Sequence, residues 1–492
     1  MRLPIFYSAL LLTFVNLLLR FAGTGFQVYL SGRIGAAGIG LLQLVMSVNG
    51  LAVVAGIAGI RTAAMYLTAE ELGKKQPGNV RWVLSGCCSY SILFSGTVAC
   101  ALYLLAPVIA AEWIGQPETS ASLQLFALFL PVICLGNVMV GYFTAANRIG
   151  TLAAVEVSEQ LVSMTVTMGT LARFAGSDPA KACQCVIFGS CTAACLTLGC
   201  LVMLRLRENV PSGPRISMAV RLTNTAVPLG VADVLKSGIN TAENLMVPRR
   251  LSLHIQTAEP LAAFGTVSGM VFPVLMFPAC ILFGLAELLI PEFARCCAAG
   301  SKGRISYLLH RSLRIALLYG IFFAGLEFLL ADTLCHSLYK SAQAGDSLRL
   351  YALLIPMLYC DAIVDAMTKG LGQQKICVRY NILTSALDVL FLYLLLPKYG
   401  MTGYFFSFFV THLINFILSL SLLLRLTGER IPFYLPAFAL SAGMLAVMCA
   451  ARFPIPSAKC AAFVLLLGSL WCLFRVTGRE DILWLAGLIR KK

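Results

Sequence analysis

The sequence predicts an all-α integral membrane protein of about fourteen transmembrane helices. These form two six-helix lobes related by an approximate two-fold axis along the membrane normal, followed by two C-terminal helices. Three observations lead there. The 492-residue chain is 59% hydrophobic and only 12% charged, with a mean hydropathy of +0.85, whereas soluble domains average about a quarter charged residues. Apolar runs long enough to cross a bilayer recur from end to end. Two segments, LQLFALFLP at Leu123–Pro131 and LRLYALLIP at Leu348–Pro356, repeat at an offset of about 225 residues, and Ala37 and Gly40 match Ala262 and Gly265 at the same offset.

The runs lie at about 5–30, 40–64, 82–111, 121–146, 152–174, 180–204, 219–248, 265–292, 308–331, 346–368, 377–396, 402–425, 432–451 and 458–476. They are continuously apolar, without the alternation that a β-barrel strand requires. The segments 219–248 and 346–368 carry several charges each. The repeat assigns spans one to six (1–210) to an N-lobe and spans seven to twelve (211–426) to a C-lobe. Residues 427–492 hold the last two spans and a basic tail. Each half holds an even number of spans, so both cross the membrane in the same direction. The connection RLRENVPSGPRISM (205–218) has the composition of an exposed linker. Non-apolar stretches are too short to build a soluble domain.

The net charge of +15 follows from topology. With the N-terminus inside, cytoplasmic loops and ends hold about 24 Lys and Arg against about nine outside. The clusters Lys74-Lys75-Arg81, Arg205-Arg207-Arg215, Arg295-Lys302-Arg304-Arg311 and Arg490-Lys491-Lys492 all fall on the inner face. Both termini are expected in the cytoplasm, and nucleic acid is not needed as a partner. The first span continues past Arg20 without a small-residue cleavage site and reads as retained. Most of the 18 cysteines lie inside spans, among them Cys87, Cys88, Cys183, Cys185, Cys191 and Cys195, and read as small packing residues. Their spacing fits neither a disulfide framework nor a zinc site.

Polar groups in mid-span are costly unless they face a cavity or a partner, so they carry the functional information. Arg20 lies near the centre of span one, with Asn16 before it and Gln27 after. In span seven, Asp233, Lys236, Asn240, Glu243 and Asn244 recur at three- and four-residue spacing and share one helix face, while Leu235, Ile239 and Leu245 lie off it. Pro228 and Gly230 offer that helix a place to bend. Asp361, Asp365 and Lys369 form a second stripe, Glu156 and Glu159-Gln160 enter span five, and Glu287 and Glu327 sit in spans eight and nine. Each charge could simply pair with another, Lys236 with Asp233 or Lys369 with Asp365. Arg20 and Lys236, at similar depth in the first helices of the two repeats, would together suit an anionic group passing between them. We take Arg20, Gln27, Arg61, Lys236 and Asn240 as candidate substrate-binding residues. Asp233, Glu243, Asp361, Asp365, Glu156 and Glu159 are candidates for lining the cavity or coupling to an ion.

The four histidines (His254, His310, His336, His412) join no catalytic constellation, and no GxSxG, HExxH or phosphate-binding loop is present. The chain reads as no enzyme, without cofactor; uphill transport would draw on an ion gradient, the membrane potential or substrate asymmetry.

LLRFAGTGFQVYLSGRIGAAGIGLLQLVMSVNGLAVVAGIAGI resembles the N-terminus of the polysaccharide-flippase branch of the multidrug/oligosaccharidyl-lipid/polysaccharide exporter superfamily. GYFTAANRIGTLAAVEVSEQLV (Gly141–Val162) is similar to that branch's segment from span four into span five. NTAENLMVPRRL, VFPVLMFPACILFGLAELLIPEFA and TKGLGQQKICVRYNIL resemble parts of the stage V sporulation protein B group. The likeness covers about 1–425. It implies a V-shaped pair of six-helix lobes around a central cavity, in a bacterial cytoplasmic membrane. It also implies flipping of a lipid-linked saccharide, such as a peptidoglycan precursor, with envelope-biosynthesis enzymes as partners. In peptidoglycan-precursor flippases, arginines of span one help bind the diphosphate, and Arg20 matches one by position. This chain has Gln27 near a second basic position, Ser163 after the Glu-Gln pair, and Asp388 where a lysine is common. Two other readings stay open: a cation-coupled exporter of organic cations working through the acids Asp233, Glu243, Asp361 and Asp365, and a non-transporting scaffold for envelope assembly.

Overall fold

A computed structural model describes residues 3–74, 77–146, 148–175, 178–207, 219–255, 259–431 and 434–473. Most of the 205–218 linker and the basic end of the C-terminal tail lie outside the described residues. Among the described residues every regular element is helical, with no strand. The helices are α1 (Leu3–Ile57), α2 (Ile60–Gly73), α3 (Val80–Val108), α4 (Ser120–Ala145), α5 (Ile149–Thr170), α6 (Pro179–Leu206), α7 (Ala219–Leu251), α8 (Pro260–Gly265), α9 (Phe272–Leu275), α10 (Ala279–Ala298), α11 (Lys302–Tyr339), α12 (Ala342–Ala352), α13 (Ile355–Gly370), α14 (Gln374–Thr427), α15 (Tyr434–Ala450) and α16 (Pro456–Leu473). Among the described residues, seven stretches are long and apolar enough to cross a membrane, or up to nine if each bent pair is one span.

Two of those seven hide a break. Gly35 (φ 69°, ψ 179°) interrupts α1 and Gly400 (φ 59°, ψ −138°) interrupts α14. Both occupy backbone regions that favour glycine, so the chain turns there without leaving the helical hydrogen-bond pattern for long. The bent pairs are α8–α9 with α10 (65°) and α12 with α13 (55°). The chain packs as two compact units, Met1–Gly269 with Leu392–Gly400, and Met270–Phe391 with Met401–Lys492. The division by sequence repeat falls at 210; by packing, α7 and α8 go with the first unit because they lie against α1 and α2.

In the first unit the core joins Ile60, Ala63 and Leu67 of α2, Val83 and Cys87 of α3, Val138 and Phe143 of α4, and Leu222 and Ala226 of α7, all buried. A kink at Ala58 (φ 41°) and Gly59 (φ 75°) separates α1 from α2, and the Tyr90 hydroxyl donates to the Ala58 carbonyl at 3.2 Å. A helix of mostly apolar side chains can approach another closely only where side chains are absent. Two such places hold α1 and α2 to α7 and α8. A Cβ on Gly59 would lie 2.3 Å from the Ala226 carbonyl oxygen, and one on Gly230 would lie 2.6 Å from the Ala58 carbonyl carbon. Here α7 runs unbroken through Pro228 and Gly230; Gly230 serves the approach to Ala58.

The second place is reciprocal. A Cβ on Gly40 would lie 2.3 Å from the Leu261 carbonyl oxygen and 3.2 Å from the Gly265 nitrogen; one on Gly265 would lie 2.0 Å from the Ala36 carbonyl oxygen and 2.6 Å from the Gly40 nitrogen. Ala36 stands to Leu261 as Gly40 stands to Gly265, each about 225 residues apart, the offset of the sequence repeat. Contacts in which residue i meets j′ and j meets i′ are those of a two-fold axis. The glycines that align in sequence therefore face each other across a local two-fold.

In the second unit α15 and α16 pack against α11 through Ile321, Leu329, Ala439, Ala446, Phe463 and Leu467, all buried. Gly325 and Gly443 make room there for Phe463 and Ile321. At the bend between α9 and α10, tyrosines donate to backbone carbonyls: Tyr359 to Leu275 O (2.9 Å) and Tyr319 to Pro278 O (2.8 Å).

Replacing Gly40 by Val forces backbone against side chain. We expect about 1–3 kcal/mol of destabilisation, read as a lower thermal midpoint in detergent. Gly136→Ala, at an open position, should leave the midpoint unchanged; equal effects would contradict the close approach.

Candidate functional site

The first unit places the candidate substrate residues on α1, α2 and α7. Arg20 on α1 and Arg61 on α2 have exposed side chains. Gln27 is engaged: its Nε2 donates to Gly269 O at 3.1 Å, tying α1 to the π-helical turn Thr266–Val271. On α7, Asp233, Lys236 and Asn240 are exposed and Glu243 is half-buried. The face about a quarter-turn away packs on α1: Thr241 donates to Ser47 O (3.1 Å) and Asn244 Nδ2 to Ser47 Oγ (2.9 Å), with Leu245 buried beside them. Asn244, which the spacing groups with the charged stripe, thus belongs to the packed face. Exposure also extends to Leu235 and Val231.

Two carboxylates of α5 are tied to neighbours in the same unit. Glu156 lies within electrostatic range of Arg61 and Glu159, and Glu159 lies close to Thr197 of α6. At the far end of α2, Glu71 is buried and is held by Asn79 Nδ2 (2.9 Å) and Arg221 Nη1 (3.2 Å), while Glu70 binds Arg221 Nη2 (2.7 Å) and Lys74 (2.7 Å). Arg221 thus clamps the start of α7 to the end of α2 at the opposite end from Thr241.

The second unit contains a polar ladder between α13 and the two parts of α14. Asp388 is buried and accepts from Ser407 Oγ (2.5 Å) and Thr411 Oγ1 (3.2 Å). Asn415 Nδ2 donates to Asp361 Oδ2 at 3.1 Å. One turn further along α13, Asp365 pairs with Lys369 (2.6 Å). Asp361 and Asp365 are therefore brought together on α13, as their spacing requires; Asp365 is paired with Lys369, while Asp361 is engaged through Oδ2 and its buried Oδ1 accepts no hydrogen bond among the described residues. The ladder's partners Thr384, Ser407, Thr411 and Asn415 do not figure among the sequence candidates. Their signal was present: Ser407, Thr411, Asn415 and Ser419 recur every four residues and are all buried. Glu327 of α11 is also buried, and Glu287 of α10 is exposed.

Charged and hydroxyl groups set into long apolar helices, some exposed and some partnered, are the working parts of a membrane transporter. Residues 6–251, half the chain, match the family described as polysaccharide biosynthesis protein, and the chain belongs to that family. It is 20% identical over 375 residues to stage V sporulation protein B of Bacillus subtilis (strain 168), covering 74% of this chain and 72% of that one. Among solved structures, the lipid II flippase MurJ in an inward closed conformation matches with a TM-score of 0.70 at 13% identity, over 98% of this chain and 100% of that chain. An inward-facing multidrug resistance transporter of the MATE family matches with 0.67 at 12% identity, over 85% and 100%. A superfamily transporter from Pyrococcus furiosus, whose binding pocket has reversed polarity, matches with 0.60 at 12% identity, over 86% and 96%. At these identities the structures show the shared fold, one of many packed membrane-length helices.

The ladder yields a test. Asp388→Ala leaves the Ser407 and Thr411 hydroxyls without their buried acceptor, at a cost of about 1–3 kcal/mol. The thermal midpoint in detergent should fall for Asp388→Ala and less for Asp388→Asn, which keeps an acceptor oxygen. An unchanged midpoint for both would mean that the ladder contributes nothing to stability.

Proposed function

We propose that this protein flips a lipid-linked saccharide precursor of the cell envelope across the cytoplasmic membrane by alternating access, with spans one to six and seven to twelve as its two moving lobes. The observation that carries the reading is the exposure of three cations, Arg20, Arg61 and Lys236, on helices that otherwise run through apolar surroundings. Such cations suit a diphosphate that must leave water. The family match and the fold shared with a lipid II flippase support the same reading. Of the acids that a drug-cation exporter would use, Asp365 is already paired with Lys369. In this reading Asp361 and Asp365 belong to the coupling machinery, and Asp233, Glu243, Glu156 and Glu159 line the route. The family resemblance and the basic inner loops support a bacterial cytoplasmic membrane with both termini inside, and envelope-biosynthesis enzymes as partners.

The guanidinium of Arg20 can hold a diphosphate through two parallel hydrogen bonds, which an ammonium cannot reproduce. Losing them should cost on the order of 1.5–3 kcal/mol, or roughly ten- to a hundredfold in affinity. In liposomes containing purified protein, lipid-linked saccharide should flip while an organic drug cation is not exported. Arg20→Ala should abolish flipping at normal protein level, with Arg20→Lys partly active. Export of the drug cation alone would establish the exporter instead. Normal flipping by a well-expressed Arg20→Ala protein would remove Arg20 from the diphosphate site.

A further inference from the structure

One cavity in the first unit takes no part in the route just described. It encloses about 410 Å³ and is lined by Trp113, Ala242, Leu245, Met246, Arg249, Arg250, Leu253 and Tyr393. Its parts come from helix ends. Trp113 lies one residue before the end of the Val80–Ile114 stretch, Arg249 and Arg250 occupy the last turn of α7, and Tyr393 precedes the α14 break at Gly400. In a membrane protein, helix ends bearing Trp, Tyr and Arg stand at the level of the lipid headgroups. The lining holds two guanidinium groups and no carboxylate. Neither arginine forms an ion pair among the described residues. The Arg250 guanidinium carbon lies over the Tyr393 ring, 3.4 Å from its centroid. A cation–π contact uses the charge of the guanidinium without taking up its N–H donors. Arg249 is exposed beside it.

We propose that this cavity binds the phosphate headgroup of an anionic membrane phospholipid. Two neighbouring cations with no counter-ion among the described residues offer a site to an anion, and a phosphodiester presents two non-bridging oxygens that the guanidinium fork can bind in parallel. The rest of the lining distinguishes a lipid from a free anion. Leu245, Met246 and Leu253 give a wall with no hydrogen-bonding group, which an inorganic phosphate cannot use and a glyceryl-acyl stem can cover. Trp113 supplies an amphipathic ring at the same level. Because α7 also carries Asp233, Lys236 and Asn240, a lipid held at its last turn is anchored to the helix on which the transport reading relies. The site itself does not depend on that reading.

The test uses purified full-length protein in vesicles of phosphatidylcholine with a minority of phosphatidylglycerol, followed by mass measurement of the lipid retained after mild detergent extraction. The wild type should retain phosphatidylglycerol in preference to phosphatidylcholine. The Arg249→Gln/Arg250→Gln double variant should lose that preference about tenfold. Arg249→Gln alone, at an exposed position, should weaken it without disturbing folding, and the two Lys replacements should keep part of it. Equal retention by wild type and single variant would overturn the proposal. Full displacement by inorganic phosphate would assign the cavity to a soluble anion, and displacement by lipid-linked saccharide diphosphate alone would assign it to the transported substrate; either result overturns the lipid site. Flipping measured in parallel keeps the two readings apart, since the lipid preference is predicted whether or not flipping is found.

Discussion

The close approach of Gly40 to Gly265 is the constraint on which the rest of the first unit depends. Two apolar helices in lipid gain little from burying side chains against each other, because the lipid tails are equally apolar. What they gain comes from van der Waals contact at short range, and only a residue without a Cβ permits it here. The glycine pair fixes α8 on α1, and the Gly59–Gly230 pair fixes α7 on the kink that follows. Between these anchors, Thr241 and Asn244 add hydrogen bonds to Ser47, and Arg221 closes the far end on Glu70 and Glu71. With one side of α7 committed in this way, its charged residues are left on the other flank.

The reciprocity of the glycine contact also gives the sequence repeat a physical meaning. Positions that match in sequence meet in space, as they must near a two-fold axis. A duplication would place the same small residue at both partners of such a contact at once. Gly40 and Gly265 match in sequence, and at this contact neither position has room for a Cβ.

Much of this was legible in the sequence, for reasons that also explain where legibility ends. Apolar runs marked the helices, because a bilayer requires length and apolarity together. The breaks at Gly35 and Gly400 were harder, since apolarity continues through them and only backbone conformation marks the turn. A polar residue in a span can face water or bond to a neighbour, and spacing alone does not separate these outcomes. Asp233, Lys236 and Asn240 are exposed, whereas Gln27 and Asn244 are tied to Gly269 and Ser47. The ladder around Asp388 escaped because its partners are uncharged hydroxyls and an amide, which hydropathy barely registers. Their four-residue period from Ser407 to Ser419 was the available signal.

The account rests most directly on α7 having one side zipped to α1 and the other open to water. Thiol reactivity tests this, with single cysteines placed along the helix after reactive native cysteines are replaced, and a membrane-impermeant hydrophilic reagent applied to vesicles opened to both sides. Cysteines at Asp233, Lys236 and Asn240 should react readily, while those at Gly230, Thr241 and Leu245 should be protected. Protection along the whole series, or reactivity that ignores the helical period, would contradict it and make the charges a buried structural network.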